Sequence, residues 1–139
     1  MSAVPGDDHR RALGASGEEL AARHLEALGL EIVDRNFRTR HGELDLVARD
    51  ERRVVFCEVK TRIVSARAGP LGSPRPYGPF DSIGVRKRRQ VRTMARIWLA
   101  DAHDRLGPGS PAEIRFDAVG ITLDGSGRLI ELEHLEGAF

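Results

Sequence analysis

A chain of 139 residues has the length of one domain, and 40% apolar with 31% charged residues suits a packed core under an ordinary polar surface. A net charge of +1 excludes a global field that would draw the chain to nucleic acid or membrane, so any basic surface must be local. The one cysteine, Cys57, excludes an intrachain disulfide and argues against a cysteine-based zinc site; it reads as a buried structural thiol inside an apolar run.

The N-terminal residues Ser2, Asp7, Asp8, His9 and Arg10 lack the apolar stretch of a signal peptide, and no segment reaches bilayer-spanning length. A soluble cytoplasmic protein without membrane contact is expected. Residues 1–13 read as a flexible tail carrying Pro5 and Gly6, leaving 14–139 as the domain. A helix is predicted over 16–28, with Ser16 and Glu19 as a capping box and Leu20, Ala21, Leu25 and Leu28 on one face. Gly29 suits the position just past its end. Leu30–Phe37 reads as a first strand. Leu44, Leu46 and Ala48 alternate with Glu43, Asp45 and Val47 in a second, and Val54–Lys60 is a β-branched and aromatic third. Asp50–Arg53 is the turn between the last two.

Residues 63–80 hold seven Gly or Pro residues and read as a long, mobile loop after Lys60. A second helix is predicted from Val85 to His103, with Val91, Ala95, Trp98, Leu99 and Ala102 as its apolar stripe. Glu113–Leu123 and Arg128–Leu135 close the chain as two strands around an Asp124–Gly125 turn. The order αβββαββ predicts an α/β domain with a central mixed sheet flanked by helices.

The chemistry sits in the middle strands. A symmetric hairpin about Asp50–Arg53 puts Asp45 directly opposite Glu58, and Glu43 opposite Lys60. Opposed residues share a face with Cβ atoms about 5 Å apart, provided no bulge intervenes. Two such carboxylates repel and need a cation or a shared proton. Mg²⁺ suits them because it takes carboxylate oxygens, keeps several waters and completes its shell with substrate phosphate. Lys60 faces the same way as Glu58 and is placed to orient water or a phosphate oxygen. On the first helix, at 100° per residue, Glu18 falls roughly 80° from the apolar stripe and can reach inward, whereas Glu19 points to solvent. His24 reads as a packed core histidine. Spacing alone leaves a second reading open, a cross-strand ion-pair ladder on a solvated face.

Residues 86–96 carry Arg86, Lys87, Arg88, Arg89, Arg92 and Arg96 with no acid between them, which suits an anionic partner. Lys87 lies at the edge of the apolar stripe, able to point towards the acids. Arg35, Arg38, Arg40 and His41 form a second basic cluster just before Glu43, and Arg62 follows Lys60. Aromatic residues are 5% of the chain, too few to favour stacking recognition of single strands.

Gly17-Glu18, Leu25, Gly29, Arg35-Asn36, Gly42-Glu43-Leu44-Asp45 and Phe56-Cys57-Glu58-Val59-Lys60-Thr61-Arg62 resemble the bacterial YraN family. Lys87, Ala95–Trp98–Leu99, Arg115-Phe116-Asp117 and Gly137-Ala138-Phe139 extend the resemblance over about residues 14–139. That family is similar to Holliday-junction resolvases and to the restriction-endonuclease-like superfamily. The resemblance implies a restriction-endonuclease-like fold and a site with an acid on the first helix, an Asp on one strand and an acid–x–Lys on the next. Those roles fall on Glu18, Asp45, Glu58 and Lys60. It further implies Mg²⁺ or Mn²⁺ held by Asp45 and Glu58, with Glu18 completing the shell. The reaction would be phosphodiester hydrolysis in DNA, with branched or distorted DNA brought forward as substrate. Lys87, Arg86, Arg89, Arg92, Arg38, Arg40 and Arg62 are the candidate nucleic-acid contacts, and the dimeric resolvases make a homodimer an expectation by analogy. The rival reading is a nucleic-acid-binding module that keeps the fold with little or no catalytic activity.

Overall fold

Two sets of apolar residues on opposite faces of one sheet generate three layers. On one face Leu46, Ala48, Val55, Cys57, Val59, Val119, Ile121 and Leu123 pack with Ala21, Ala22 and Leu25 of the first helix. On the other, Leu44, Val47, Val54 and Phe56 pack with Val91, Met94, Ala95 and Trp98 of the second. A computed structural model describes residues 5–64, 84–102, 106, 111 and 113–139, with side chains from residue 11 onward.

The elements are α1 (Pro5–Ala27), β1 (Glu31–Thr39), β2 (Gly42–Arg49), β3 (Arg53–Val64), α2 (Val85–Asp101), β4 (Glu113–Asp124) and β5 (Leu129–Leu135). The expected order αβββαββ is found. The five strands form one mixed sheet in chain order, in which only the β3–β4 pair is parallel. That pair is the one joined through α2, as a parallel pair requires a crossover. Among the described residues no helix is long and apolar enough to cross a membrane.

Helix α1 begins at Pro5, well before the predicted start. Ser16 therefore lies inside the helix and does not cap it, and residues 5–13, expected in a loose tail, are helical with Leu13 buried in the core. The C-terminal end follows expectation: Gly29 adopts φ 92°, Gly29 N–H donates to Glu26 O and Leu30 N–H to Leu25 O, a Schellman closure. Leu28, assigned to the apolar face, is 54% exposed because the helix has already ended. The predicted loop 63–80 lies, beyond Val64, outside the described residues.

Two glycines allow close docking. A Cβ on Gly17 would overlap the Thr61 side chain, so only glycine lets α1 approach β3 there. Gly42, at φ 139°, lies against the Gln90 side chain of α2, which donates from Nε2 to His41 O at 3.1 Å. These contacts bring Glu18 and Lys87, from two different helices, to the same end of the sheet.

Candidate metal and phosphate site

The β2–β3 ladder follows the predicted register: Arg49 pairs with Val54, Ala48 with Val55, Val47 with Phe56 and Leu46 with Cys57. The described pairing stops there, one step short of the acids. Asp45 Oδ2 accepts the Val59 N–H at 2.8 Å, so a side chain takes a donor that a continuing ladder would give to backbone. The facing also changes. Leu44 belongs to the α2-side core and Leu46 to the α1-side core, although residues two apart on a regular strand share a face. Across from this change on β1, Asn36 adopts φ 51°. Asp45 thus sits where β2 rolls over.

The expected Glu43–Lys60 opposition lies beyond the described β2–β3 pairs; Glu43 Oε2 meets Arg38 Nε at 3.0 Å across the β1–β2 hairpin, and Lys60 is exposed on β3. The β3–β4 register is unbroken from Arg53 to Val64, so Lys60 keeps the face of Glu58 as expected.

Both strand acids are buried: Asp45 is 6% and Glu58 7% exposed. Burial first, and then the charge of Glu58, push the Asp45 carboxyl from 3.8 up to about 7; the Val59 N–H opposes the rise and Glu18 adds to it. Glu18, half-buried on α1, is therefore within electrostatic reach of Asp45. Lys87 Nζ reaches Glu58 Oε1 at 2.9 Å from α2. The other oxygen, Glu58 Oε2, is buried without a hydrogen-bond partner. Glu19 is ion-paired to Arg35 at 2.6 Å and partly exposed, apart from the acids as expected.

Basic grooves flank the acids on both sides. One, of about 490 Å³, runs between the β1–β2 turn and α2 and is lined by Arg38, Arg40, His41, Glu43, Lys87 and Gln90. A second, of about 560 Å³, runs between α1 and β1 past Arg11, Glu18, Asn36 and Arg38. A larger cavity of about 710 Å³ opens at the far end of the hairpin, where Glu31, Asp50 and Glu51 offset Arg49, Arg52 and Arg53. Its balanced charges and its distance from the buried acids separate it from this site.

Of the other predicted cations, Arg86 and Arg89 are exposed on α2. Arg92 donates from Nη2 to Phe139 O at 2.9 Å and lies over the Phe116 ring, so it braces the fold. Arg62 is half-buried on β3.

The residues fit the expected divalent cation in part. Two buried carboxylates, one with an orphaned oxygen, match the way Mg²⁺ is held by one or two protein carboxylates and water. Among the described residues no three His, Cys, Asp or Glu side chains converge tightly enough to hold an ion together. Asp45 and Glu58 are the two carboxylates that would hold such an ion.

A buried network absent from the sequence reading lies between β4, β5 and α1. Asp117, fully buried, accepts from Arg115 Nε at 2.9 Å, Arg115 Nη2 at 2.9 Å and the Gly137 N–H at 3.2 Å, and its Oδ2 lies 2.8 Å from His134 Nε2. His134 Nδ1 meets His24 Nε2 at 3.0 Å. Burial, and then His134, lower the His24 pKa. His24 is thus a satisfied interior histidine. Cys57 pairs in register with Asp117, and burial raises its thiol well above the ordinary range.

The chain is thus a mixed α/β domain with two buried acids on its middle strands, a lysine two residues on and basic side chains nearby. Residues 17–121 match the profile described as uncharacterised protein family UPF0102, and the chain belongs to that family, the YraN family. It is 42% identical over 129 residues to a UPF0102 protein of Frankia casuarinae, covering 92% of this chain and 96% of the relative. It is 42% identical over 130 residues to one of Nocardia farcinica, covering 94% and 91%, and 41% identical over 128 residues to one of Streptomyces griseus, covering 92% and 96%. The matched span begins at Gly17 and takes in Glu18, Asp45, Glu58, Lys60 and Lys87.

Proposed function

We propose that this chain is a metal-dependent nuclease-type domain that hydrolyses phosphodiester bonds in DNA. The observation that carries the reading is the buried Asp45–Glu58 pair with the Glu58 Oε2 orphan. Two carboxyl groups out of water beside each other cost a fold stability and must share a proton or take a cation. A solvated ion-pair ladder has neither feature. Such a cost is retained where the site has a use for negative charge.

In this reading Asp45 and Glu58 would hold Mg²⁺ or Mn²⁺, with Glu18 as a third acid within electrostatic reach. When bound, the ion polarises the phosphate and lowers the pKa of water. Asp45 keeps its orientation through the Val59 N–H. Lys60, exposed on the Glu58 face, contacts the phosphate or steers the attacking water. Arg38, Arg40 and His41 hold flanking phosphates in the adjoining groove, which gives affinity without sequence preference.

A second reading, a DNA-binding module with this fold and little activity, draws support from the lack of a third converging ligand among the described residues. A panel of plain, nicked, flapped and four-way DNA with and without Mg²⁺ or Mn²⁺ separates them. Cleavage that needs the ion and disappears in Asp45→Asn and Glu58→Gln supports the nuclease. Salt-sensitive binding with no cleavage under any condition refutes it and leaves the binding module.

A further inference from the structure

Lys87 stands apart from the other cations of α2. It reaches across from the helix to a carboxylate that is itself nine-tenths buried, and its own side chain is 29% exposed. It also lines the groove that holds Arg38, Arg40 and His41. Lys87 therefore contacts Glu58 and also borders a groove carrying basic side chains. Its flexible four-carbon stem allows both positions, whereas its single charge serves only one at a time.

We propose that Lys87 is a tethered counter-ion: it occupies the cation position at Glu58 in metal-free protein, yields that position to the divalent ion, and turns into the groove, where it meets substrate phosphate. This rests on the metal-dependent reading above and adds to it an internal competitor. An ion on Glu58 Oε2 and the Lys87 ammonium on Oε1 would be like charges on one carboxylate, so each weakens the hold of the other. A phosphate in the groove draws Lys87 off Glu58 and frees the acid, and by linkage the ion strengthens phosphate binding to the same degree. The exchange also explains how the fold tolerates a buried glutamate without metal: Lys87 satisfies one oxygen while the other stays unpaired.

The test uses the full chain stripped with chelator. Mn²⁺ is titrated calorimetrically into wild type, Lys87→Gln, Lys87→Arg and Arg88→Gln. Removing the competitor should tighten Mn²⁺ binding about tenfold in Lys87→Gln, within the range of ordinary coupling energies. Lys87→Arg, which keeps the competitor, should stay near wild type. Arg88→Gln removes an equal charge from an exposed position of the same helix and should change affinity by no more than about twofold, since solvent screens it. In parallel, NMR of isotope-labelled lysine ammonium groups should show one slowly exchanging signal, missing in Lys87→Gln, that is lost in step with Mg²⁺ occupancy. If the ion binds while that signal persists, or if Lys87→Gln and Arg88→Gln bind Mn²⁺ alike, the exchange is wrong and the metal site stands. If neither wild type nor Lys87→Gln binds Mn²⁺, even with duplex DNA present, the metal reading and the exchange fall together. Should Lys87→Gln fail to fold, the ammonium signal in wild type and Lys87→Arg decides the matter alone.

Discussion

Replacing Asp45 with asparagine should stabilise the metal-free protein at neutral and alkaline pH. In the folded chain the Asp45 carboxyl titrates at about 7, raised from 3.8 first by burial and then by Glu58. Between those values the folded state holds a proton that the unfolded chain releases, so stability falls as pH rises through the window and levels off above it. Each pH unit in that window costs the wild type about 1.4 kcal/mol, and the whole window about 4 kcal/mol. Asparagine carries no such penalty. It can still accept the Val59 N–H through its amide oxygen, but a neutral acceptor is weaker than a carboxylate by about 1 kcal/mol. The net gain is about 2–3 kcal/mol near pH 8, or roughly 6–10 °C in melting temperature for a domain of this size. Calorimetric melts in chelator from about pH 4 to pH 8 should show the two proteins converging at the acid end and diverging towards neutrality, across the window that linkage sets. Saturating Mn²⁺ should raise the wild type alone. An Asp45→Asn protein that melts below wild type near pH 8, or a gap that does not widen with pH, would refute the electrostatic argument.

Glu58→Gln removes the second cause of the Asp45 shift, so the pH-dependent loss of stability should end at a lower pH than in wild type, read from the same melts. Gly17→Ala drives a methyl into Thr61 and should cost about 1–3 kcal/mol, with much of the loss recovered by adding Thr61→Ala in a double-mutant cycle. Full additivity of the two changes would contradict the contact. Arg86→Ala with Arg89→Ala should lower the salt dependence of DNA affinity by about two phosphate contacts and weaken all sequences alike. Arg92→Ala should instead reduce thermal stability, because that side chain holds Phe139 O and covers Phe116.

Much of the architecture was legible from local pattern. Apolar spacing and turn residues fixed the order of seven elements, and the short Asp50–Arg53 turn set the hairpin register through Leu46 and Cys57. Gly29 announced the end of α1 because only a residue tolerant of positive φ closes a helix that way. These signals live within a few residues of one another, where backbone geometry links sequence spacing to direction in space. Residue types at that spacing were also enough to select Asp45, Glu58 and Lys60 as candidates.

Tertiary packing decided the rest. Leu13 of α1 is buried in the core, a tertiary contact that its own neighbours do not signal. The ladder's end at Leu46, the change of face of β2 at Asp45 and the capture of the Val59 N–H by a side chain are not signalled by the local spacing. Arg38 takes Glu43, Lys87 takes Glu58, and Asp117 gathers Arg115 and His134 with His24 behind it. Each of these pairs except Arg38–Glu43 and Arg115–Asp117 joins separate elements brought together across the core or the sheet. Charge and polarity name the groups that need partners; the choice among equivalent partners belongs to the packing, because a hydrogen bond or ion pair acts only over the last few ångströms.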